Sequence, residues 1–284
     1  MITTKTIKET RMYIREWHKR SIGFVPTMGY LHEGHKSLIE KSVAENDKTV
    51  VSIFVNPTQF GPNEDLSKYP RDFEADAKMC EETGADLIFY PSVEEMYPTD
   101  SCTFVDMDRV SKELCGKSRP THFRGVCTVV NKLFNIVAPD RAYFGQKDAQ
   151  QLAVIKRMVK DLDMNIEIIG CPIIRESDGL AKSSRNAYLN PEERIAARVV
   201  SRAIFEGERL IKSGGRDIDT MKITAVIREI INGEPMAKID YIEIVNAETI
   251  EPIKSAGECV PLLGAVAVFI GKTRLIDNFI CETY

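Results

Sequence analysis

Short apolar runs alternate with longer helix-patterned segments through the first half of this chain, and that alternation is the strongest constraint on its fold. Ile22–Val25, Val50–Val55, Leu87–Tyr90 and Ala142–Phe144 have the length and apolarity of strands buried on both faces. His35–Glu45, Pro70–Thr83, Val126–Val137 and Asp148–Lys160 read as helices, with Pro70 suited to a first helical position and Gly84 to a stop. Strands separated by helices predict a parallel sheet covered on both faces, an α/β, Rossmann-like class.

After Pro172 the texture changes. Glu192–Lys212 and Ile218–Asn232 are long helical patterns separated by a turn at Ser213-Gly214-Gly215, and Ile239–Val245, Ala265–Ile270 and Leu275–Cys281 then read as strands. Helices grouped before strands predict a smaller α+β C-terminal domain. The expected division is 1–173 for the Rossmann-like domain and 174–284 for the smaller C-terminal domain.

The formal charge of -4 argues against a broad nucleic-acid surface, which needs concentrated Lys and Arg, while leaving room for a local cationic pocket. Seven scattered cysteines with no C-x-x-C pair fit a thiol-keeping cytosol better than a disulfide or zinc scaffold. The first twenty residues read as a charged amphipathic helix rather than a secretory leader. Val260–Ile270 is interrupted by Pro261 and Gly264 and is too short for a bilayer, which takes about 20 residues. The expected setting is cytoplasmic, without membrane or nucleic-acid partners.

The most informative segment is Val25-Pro26-Thr27-Met28-Gly29-Tyr30-Leu31-His32-Glu33-Gly34-His35, which leaves a strand and opens a helix. Glycines at 29 and 34 permit close backbone approach, and a helix start offers unpaired N–H groups and a dipole that favours an anion. His32 and His35, three residues apart, fall on one face of the opening turn and can donate to phosphate oxygens. Two such histidines can equally be metal ligands, or one of them a hydrogen-bonded core residue. Only His18 and His122 remain as further histidines and no H-E-x-x-H occurs, which weakens the metal reading.

This run resembles the H-x-G-H signature of the nucleotidyltransferase superfamily, and P-T-M-G-x-L-H-x-G-H resembles its pantothenate synthetase branch. The resemblance implies that Met28, Gly29, Tyr30, Leu31, His32, Glu33, Gly34 and His35 bind ATP. His35 would stabilise the phosphoryl transition state, with His32 in support.

Further segments match the same family. Asn56 and Gln59, in Phe54-Val55-Asn56-Pro57-Thr58-Gln59-Phe60, are neutral two-way hydrogen-bonding groups suited to a ligand with hydroxyls and a carboxylate, though an ordinary Asn-Pro turn reads the same way. The resemblance assigns Gln59 to pantoate, close to the β-alanine position. In Tyr143–Gln151, Gly145 permits close approach, Lys147 can offset phosphate charge, and Asp148 can accept from ribose hydroxyls or cap a helix. Gly145, Gln146, Lys147 and Asp148 would then serve ATP and Gln151 pantoate. Ile174 would line the adenine pocket. Lys182-Ser183-Ser184-Arg185, which is otherwise a solvated basic loop, would hold phosphates like the K-M-S-K-S element of class I aminoacyl-tRNA synthetases. This chain departs from the usual family pattern at Gln146, where Glu is common, and at Lys182, where many relatives carry Met.

Arg119–Gly125 offers basic side chains that can cover a site or simply lead a helix. Asp76 is the candidate for a magnesium-linked role, because magnesium bound with ATP uses only one or two protein carboxylates. The implied reaction is ATP-dependent joining of pantoate to β-alanine through an acyl adenylate, in a homodimer. Two other readings are AMP transfer onto a phosphate and a non-catalytic nucleotide-binding regulator; the amide cluster speaks against the first and the intact histidines and cations against the second.

Overall fold

The computed structural model describes residues 1–62, 64–214, 219–253 and 260–282. In chain order the elements are β1 (Ile2–Thr4), α1 (Ile7–Glu16), β2 (Ile22–Thr27), α2 (Glu33–Glu45), β3 (Lys48–Ile53), α3 (Phe73–Thr83), β4 (Leu87–Phe89), α4 (Val93–Met96), α5 (Cys115–Ser118) and α6 (His122–Val137). They continue as β5 (Arg141–Gly145), α7 (Ala149–Asp161), β6 (Glu167–Cys171), α8 (Pro191–Ala196), α9 (Arg198–Gly214), α10 (Thr220–Asn232), β7 (Ala237–Asn246), β8 (Leu262–Ile270) and β9 (Thr273–Cys281).

The chain forms two compact units. One comprises Met1–Met107, Arg119–Gln146 and Val154–Pro172; the other takes Asp108–Ser118, Lys147–Ala153 and the chain from Ile173 onward. The first holds a six-stranded, all-parallel sheet in the order β1-β4-β3-β2-β5-β6, a Rossmann-like arrangement. Side chains alternate across it as the pleat requires. Val25, Val51, Ile53 and Ile88 pack with Leu38 and Ile39 of α2 and Cys80 of α3, while Phe24 meets Phe134 of α6 with ring centroids 6.3 Å apart. Burying each such side chain contributes roughly 1.5–3 kcal/mol. The strand order reverses between β3 and β5 on either side of β2, so the loops leaving β2 and β5 start at the carboxyl ends of neighbouring strands, where open α/β sheets place their ligands.

The second unit contains an antiparallel sheet ordered β7-β8-β9, with α9 and α10 against it. Its core draws on Ile204 and Ile211 of α9, Ile223, Ile227 and Ile231 of α10, and Val266, Val268 and Leu275 of the sheet. The apolar stretch ending at Ile270 is therefore the middle strand of a sheet. Among the described residues no helix is long and apolar enough to cross a membrane.

Several elements differ from expectation for identifiable reasons. The chain does not begin as a helix: Ile2, Thr3 and Thr4, all β-branched and with no N-cap before them, pair in parallel with Leu87, Ile88 and Phe89, and α1 starts only after Thr6. Thr6 accepts from the Glu9 N–H at 3.2 Å and Glu9 accepts from the Thr6 N–H at 3.3 Å, a reciprocal cap that fixes the start. The edge strand β6 escapes the apolar-run criterion because its register places Glu167 and Gly170 among its five residues. Pro70 is not helical; Asp72 caps α3 by accepting from the Ala75 N–H at 3.0 Å, whereas Gly84 does end it, at φ 94°. α6 begins at His122, four residues before the expected start at Val126, and Phe123 in its first turn is buried on the same face as Val126, Cys127 and Val130. The long pattern Glu192–Lys212 is two helices, broken at Ala197, and the first is capped by Asn190 with Pro191 and Glu193. Ser213 and Gly214 lie in the last turn of α9, while Gly215 and Ile218 fall outside the described residues.

Candidate active site

The loop from β2 to α2 carries the histidine signature. Gly29 (φ 82°) and Tyr30 (φ 52°) take successive left-handed conformations, which aim consecutive N–H groups the same way. An internal anion fills that concavity: Asp76 of α3, 3% exposed, accepts from the Tyr30 N–H at 2.8 Å and the Leu31 N–H at 2.6 Å. Burial pushes the Asp76 carboxyl up and the two N–H groups oppose that shift. A Cβ on Gly29 would sit 2.9 Å from an Asp76 carboxylate oxygen. Thr27 holds the loop's entrance, its hydroxyl accepting from the Gly29 N–H at 3.2 Å and donating to the Ser52 carbonyl at 2.8 Å.

His32 is the N-cap of α2. Its Nδ1 accepts from the Gly34 N–H at 3.1 Å, and the Nδ1 of His35 accepts from the His32 N–H at 3.3 Å. An Nδ1 that accepts leaves the ring proton on Nε2, so each imidazole is held as the tautomer whose Nε2–H is a donor. The rings lie 4.1 Å apart by their centroids. The expected pairing of His32 with His35 on one face is thus present. Gly34 is required by the packing, because a Cβ there would meet the His32 ring at 2.8 Å. Glu33 is exposed, and Met28 and Leu31 are half-buried.

Asn56 and Gln59 sit at a short 3-10 turn, Pro57–Gln59, that follows β3. Asn56 is 1% exposed and commits its hydrogen-bonding capacity inside the protein. Its Oδ1 accepts from the Thr58 N–H (3.3 Å), the Thr58 hydroxyl (2.9 Å) and the Tyr97 hydroxyl (2.9 Å). Its Nδ2 donates to Gln59 Oε1 and to the Gly125 carbonyl, both at 3.1 Å. Gln59 in turn donates from Nε2 to Met28 Sδ at 3.0 Å, which joins this turn to the histidine loop.

The Arg119–Gly125 segment holds the turn from behind. The Arg119 guanidinium grips Glu64 through two nitrogens, Nε at 2.8 Å, and reaches the Gln59 carbonyl at 3.3 Å. Burial pushes the Glu64 carboxyl up, but the Arg119 hydrogen bonds and charge outweigh it and hold the group below the usual carboxylate range. His122 donates from Nδ1 to the same Gln59 carbonyl at 2.9 Å, and Arg124 lies over the Phe104 ring. Arg119 and His122 thus both hold the Gln59 carbonyl, while Arg124 packs on Phe104 instead. Tyr97 is the member of this cluster that sequence reasoning missed, and no local pattern marks a single tyrosine at the end of a four-residue helix.

The remaining candidates follow β5, most of them in the second unit. Gly145 ends β5, and Gln146, Lys147 and Asp148 form a 3-10 turn ahead of α7. Lys147 Nζ lies 3.8 Å from Asp148, and the Lys147 carbonyl accepts from Asn278 of β9 at 2.9 Å. Gln151 is half-buried on α7; its neighbour Gln150 is buried and spans the Val110 and Glu113 carbonyls and the Cys115 N–H. The 174–182 segment is a hairpin closed by Lys182 N–H to Ile174 carbonyl (2.9 Å) and by the Arg175–Ala181 bridge. Arg175 is bidentate to the buried Asp277 at 2.7 and 3.0 Å. Burial pushes the Asp277 carboxyl up, against the pull of Arg175. Lys182 pairs with Glu176 at 3.2 Å. Ser183 caps the turn Ser184–Tyr188 by accepting from the Arg185 N–H at 3.3 Å.

For magnesium, the donor set is informative. Among the described residues no group of three or more His, Cys, Asp or Glu could hold a metal ion, and both Asp76 oxygens face the loop backbone. In this structure Asp76 anchors the loop through both carboxylate oxygens.

The profile of a family described as pantoate-beta-alanine ligase matches residues 2–280. A pantothenate synthetase from Ruminiclostridium cellulolyticum is 59% identical over 281 residues, covering 98% of each chain. The crystal structure of pantothenate synthetase from Thermus thermophilus superposes with a TM-score of 0.93 at 44% identity, covering 98% of this chain and 99% of that one. A pantoate-beta-alanine ligase from Francisella tularensis, complexed with beta-gamma ATP and beta-alanine, aligns with a TM-score of 0.79 at 37% identity over 99% of this chain and 97% of that one.

Proposed function

This chain belongs to the pantoate-beta-alanine ligase family, and from that membership we infer that it condenses pantoate with β-alanine in an ATP-consuming reaction, yielding pantothenate, AMP and pyrophosphate. Pantoate's carboxylate attacks the α-phosphorus of ATP and expels pyrophosphate; the amine of β-alanine then attacks the acyl-adenylate carbonyl and expels AMP. No protein nucleophile is needed. Catalysis lies in alignment and in stabilising the charge that develops on phosphate oxygens.

The observation that carries this reading is the pair of imidazoles at the head of α2, both fixed as Nε2–H donors by their Nδ1 contacts. In the proposed mechanism His35 and His32 direct those donors at the phosphates, aided by the positive end of the helix dipole. Met28, Gly29, Tyr30, Leu31, Glu33 and Gly34 shape the nucleotide site. Gly145, Gln146, Asp148 and Ile174 serve the nucleoside and phosphates, and Lys147, Lys182, Ser183, Ser184 and Arg185 serve the polyphosphate. Gln59 and Gln151 serve pantoate directly, and Asn56 serves it through its hydrogen bond to Gln59. ATP enters as its magnesium complex, with the phosphates as the ion's principal ligands. Residues 1–173 and 174–284 are proposed as the binding domain and the lid, and a homodimer in the cytoplasm as the working form; sedimentation velocity tests the assembly.

The decisive assay follows pyrophosphate and AMP separately. With Mg-ATP and pantoate alone the enzyme should release a single-turnover burst of pyrophosphate, and β-alanine should convert that burst into continuous AMP formation. Pyrophosphate release that ignores pantoate would overturn the reading.

A further inference from the structure

The direction of the Gln59 amide is dictated by two backbone groups it does not touch. The Thr58 N–H can only donate, so the Asn56 atom that it meets at 3.3 Å must be the oxygen. The Gly125 carbonyl can only accept, so the Asn56 atom 3.1 Å from it must be the nitrogen. That nitrogen also faces Gln59 at 3.1 Å, so the Gln59 atom there must be the oxygen. The Gln59 nitrogen is thereby turned to the opposite side, where one N–H reaches Met28 Sδ. Neither amide can flip without opposing two like groups.

Resting on the ligase reading above, we propose that Asn56 is a polarity relay and Tyr97 a positioning residue for the hydroxy-acid substrate. Both act through Gln59, so that the subsite presents an N–H donor and accepts a carboxylate or hydroxyl oxygen. Asn56 does not bind the substrate: its two N–H groups are taken up by Gln59 and Gly125, and its oxygen takes three donors. The Tyr97 hydroxyl supplies one of those donors from 2.9 Å and also lies 3.4 Å from the Thr58 hydroxyl. Phe54, with its ring centroid 6.2 Å away, backs the tyrosine ring. Burial pushes the phenol's pKa up, which keeps it a donor.

The relay predicts effects at the hydroxy-acid subsite and not on the use of ATP. Tyr97→Phe removes a single neutral hydrogen bond, so the pantoate KM should rise about five-fold while the ATP KM stays in place and the melting temperature falls only by the small amount one such bond contributes. Asn56→Asp replaces the donor facing Gln59 with an acceptor, which drives Gln59 to turn its own oxygen towards the substrate. The kcat/KM for pantoate should then fall by about 100-fold or more, because a buried subsite offering the wrong polarity discriminates strongly. Tyr97→Phe keeps the inference testable even if Asn56→Asp destabilises the fold. A Tyr97→Phe enzyme whose pantoate KM is unchanged, or whose ATP KM rises equally, overturns the relay while leaving the ligase reading intact. A wild-type enzyme that releases pyrophosphate independently of pantoate removes both.

Discussion

Asp76 and Leu31 are 45 positions apart in the chain, yet the carboxylate of one accepts the backbone N–H of the other at 2.6 Å. The same carboxylate takes the Tyr30 N–H, so one buried anion satisfies both donors of a loop whose backbone is left-handed at Gly29 and Tyr30. The histidine pair starts immediately afterwards, and its position inherits that anchoring.

Asp76→Asn tests the anchor with almost no change in shape. An amide can accept one of the two N–H groups but sets its own NH2 against the other, leaving a buried donor unsatisfied. That costs about 1–3 kcal/mol, which urea unfolding should register. The pantoate-dependent pyrophosphate burst should slow as well, since the loop carrying His32 and His35 loses its fixed shape. A variant with native stability and burst rate would show that the carboxylate does not set the loop.

His35 has two separable jobs, one for each ring nitrogen. Its Nδ1 caps α2 by accepting the His32 N–H, while its Nε2–H is the donor assigned to phosphate. His35→Asn retains an acceptor for the cap and deletes the distal donor, so stability should be close to wild type. Removing one transition-state donor typically costs about 10²–10³ in kcat, or about 3–4 kcal/mol, and His35→Asn should show a loss of that size in adenylate formation. A folded His35→Asn enzyme turning over near the wild-type rate would remove His35 from the catalytic group.

What the sequence made legible was local. Gly84 as the end of α3 and the two histidines on one turn depend on spacings of a few residues, and both occur as expected. Asp76 was visible as an acid on a helix, but its partner loop belongs to the β2–α2 connection some 45 residues earlier, so its contact with Tyr30 and Leu31 has no signature in spacing. Tyr97 meets Asn56 from 41 positions away for the same reason. β1 is three residues long, too short to show a period, and it exists because β4 offers it an edge. Asn56 illustrates a subtler limit: residue type suggested a ligand contact, whereas its internal hydrogen bonding emerges only when Gly125 and Tyr97 are in place.

Glu64 gives the fold a pH-dependent element. Its carboxyl is held below the usual range by Arg119, despite burial, so the folded state binds a proton there less readily than the unfolded state does. The contribution of the pair is therefore complete above the unfolded carboxylate value of about 4.3 and is lost as pH falls through the lower folded value. Glu64→Gln should flatten the acid side of the stability curve and lower stability at neutral pH by about 1–2 kcal/mol, because Arg119 keeps one weaker partner. Parallel urea curves for the two proteins from neutral to acid pH check this; unchanged acid sensitivity in Glu64→Gln would assign it elsewhere.

Gly125 sets how closely α6 approaches the turn that carries Gln59. A Cβ at this position would lie 2.4 Å from the Thr58 carbonyl oxygen and 2.6 Å from the Gln59 nitrogen and Cα, all backbone atoms that no rotamer change can clear. Two effects of Gly125→Ala compete. Alanine is the better helix former by about 1 kcal/mol, which at an open site would stabilise α6. Overpacking against fixed backbone costs about 1–3 kcal/mol and more when the backbone must move, so the clash should win. The helix and the turn are then pushed apart, the Asn56 bond to the Gly125 carbonyl lengthens, and Gln59 loses its fixed direction. Gly125→Ala should therefore lower the urea midpoint and raise the pantoate KM together, with the ATP KM much less affected. A midpoint that rises instead would mean that the helix-propensity gain outweighs the contact, and that α6 and the Pro57–Gln59 turn are not in the close register described above.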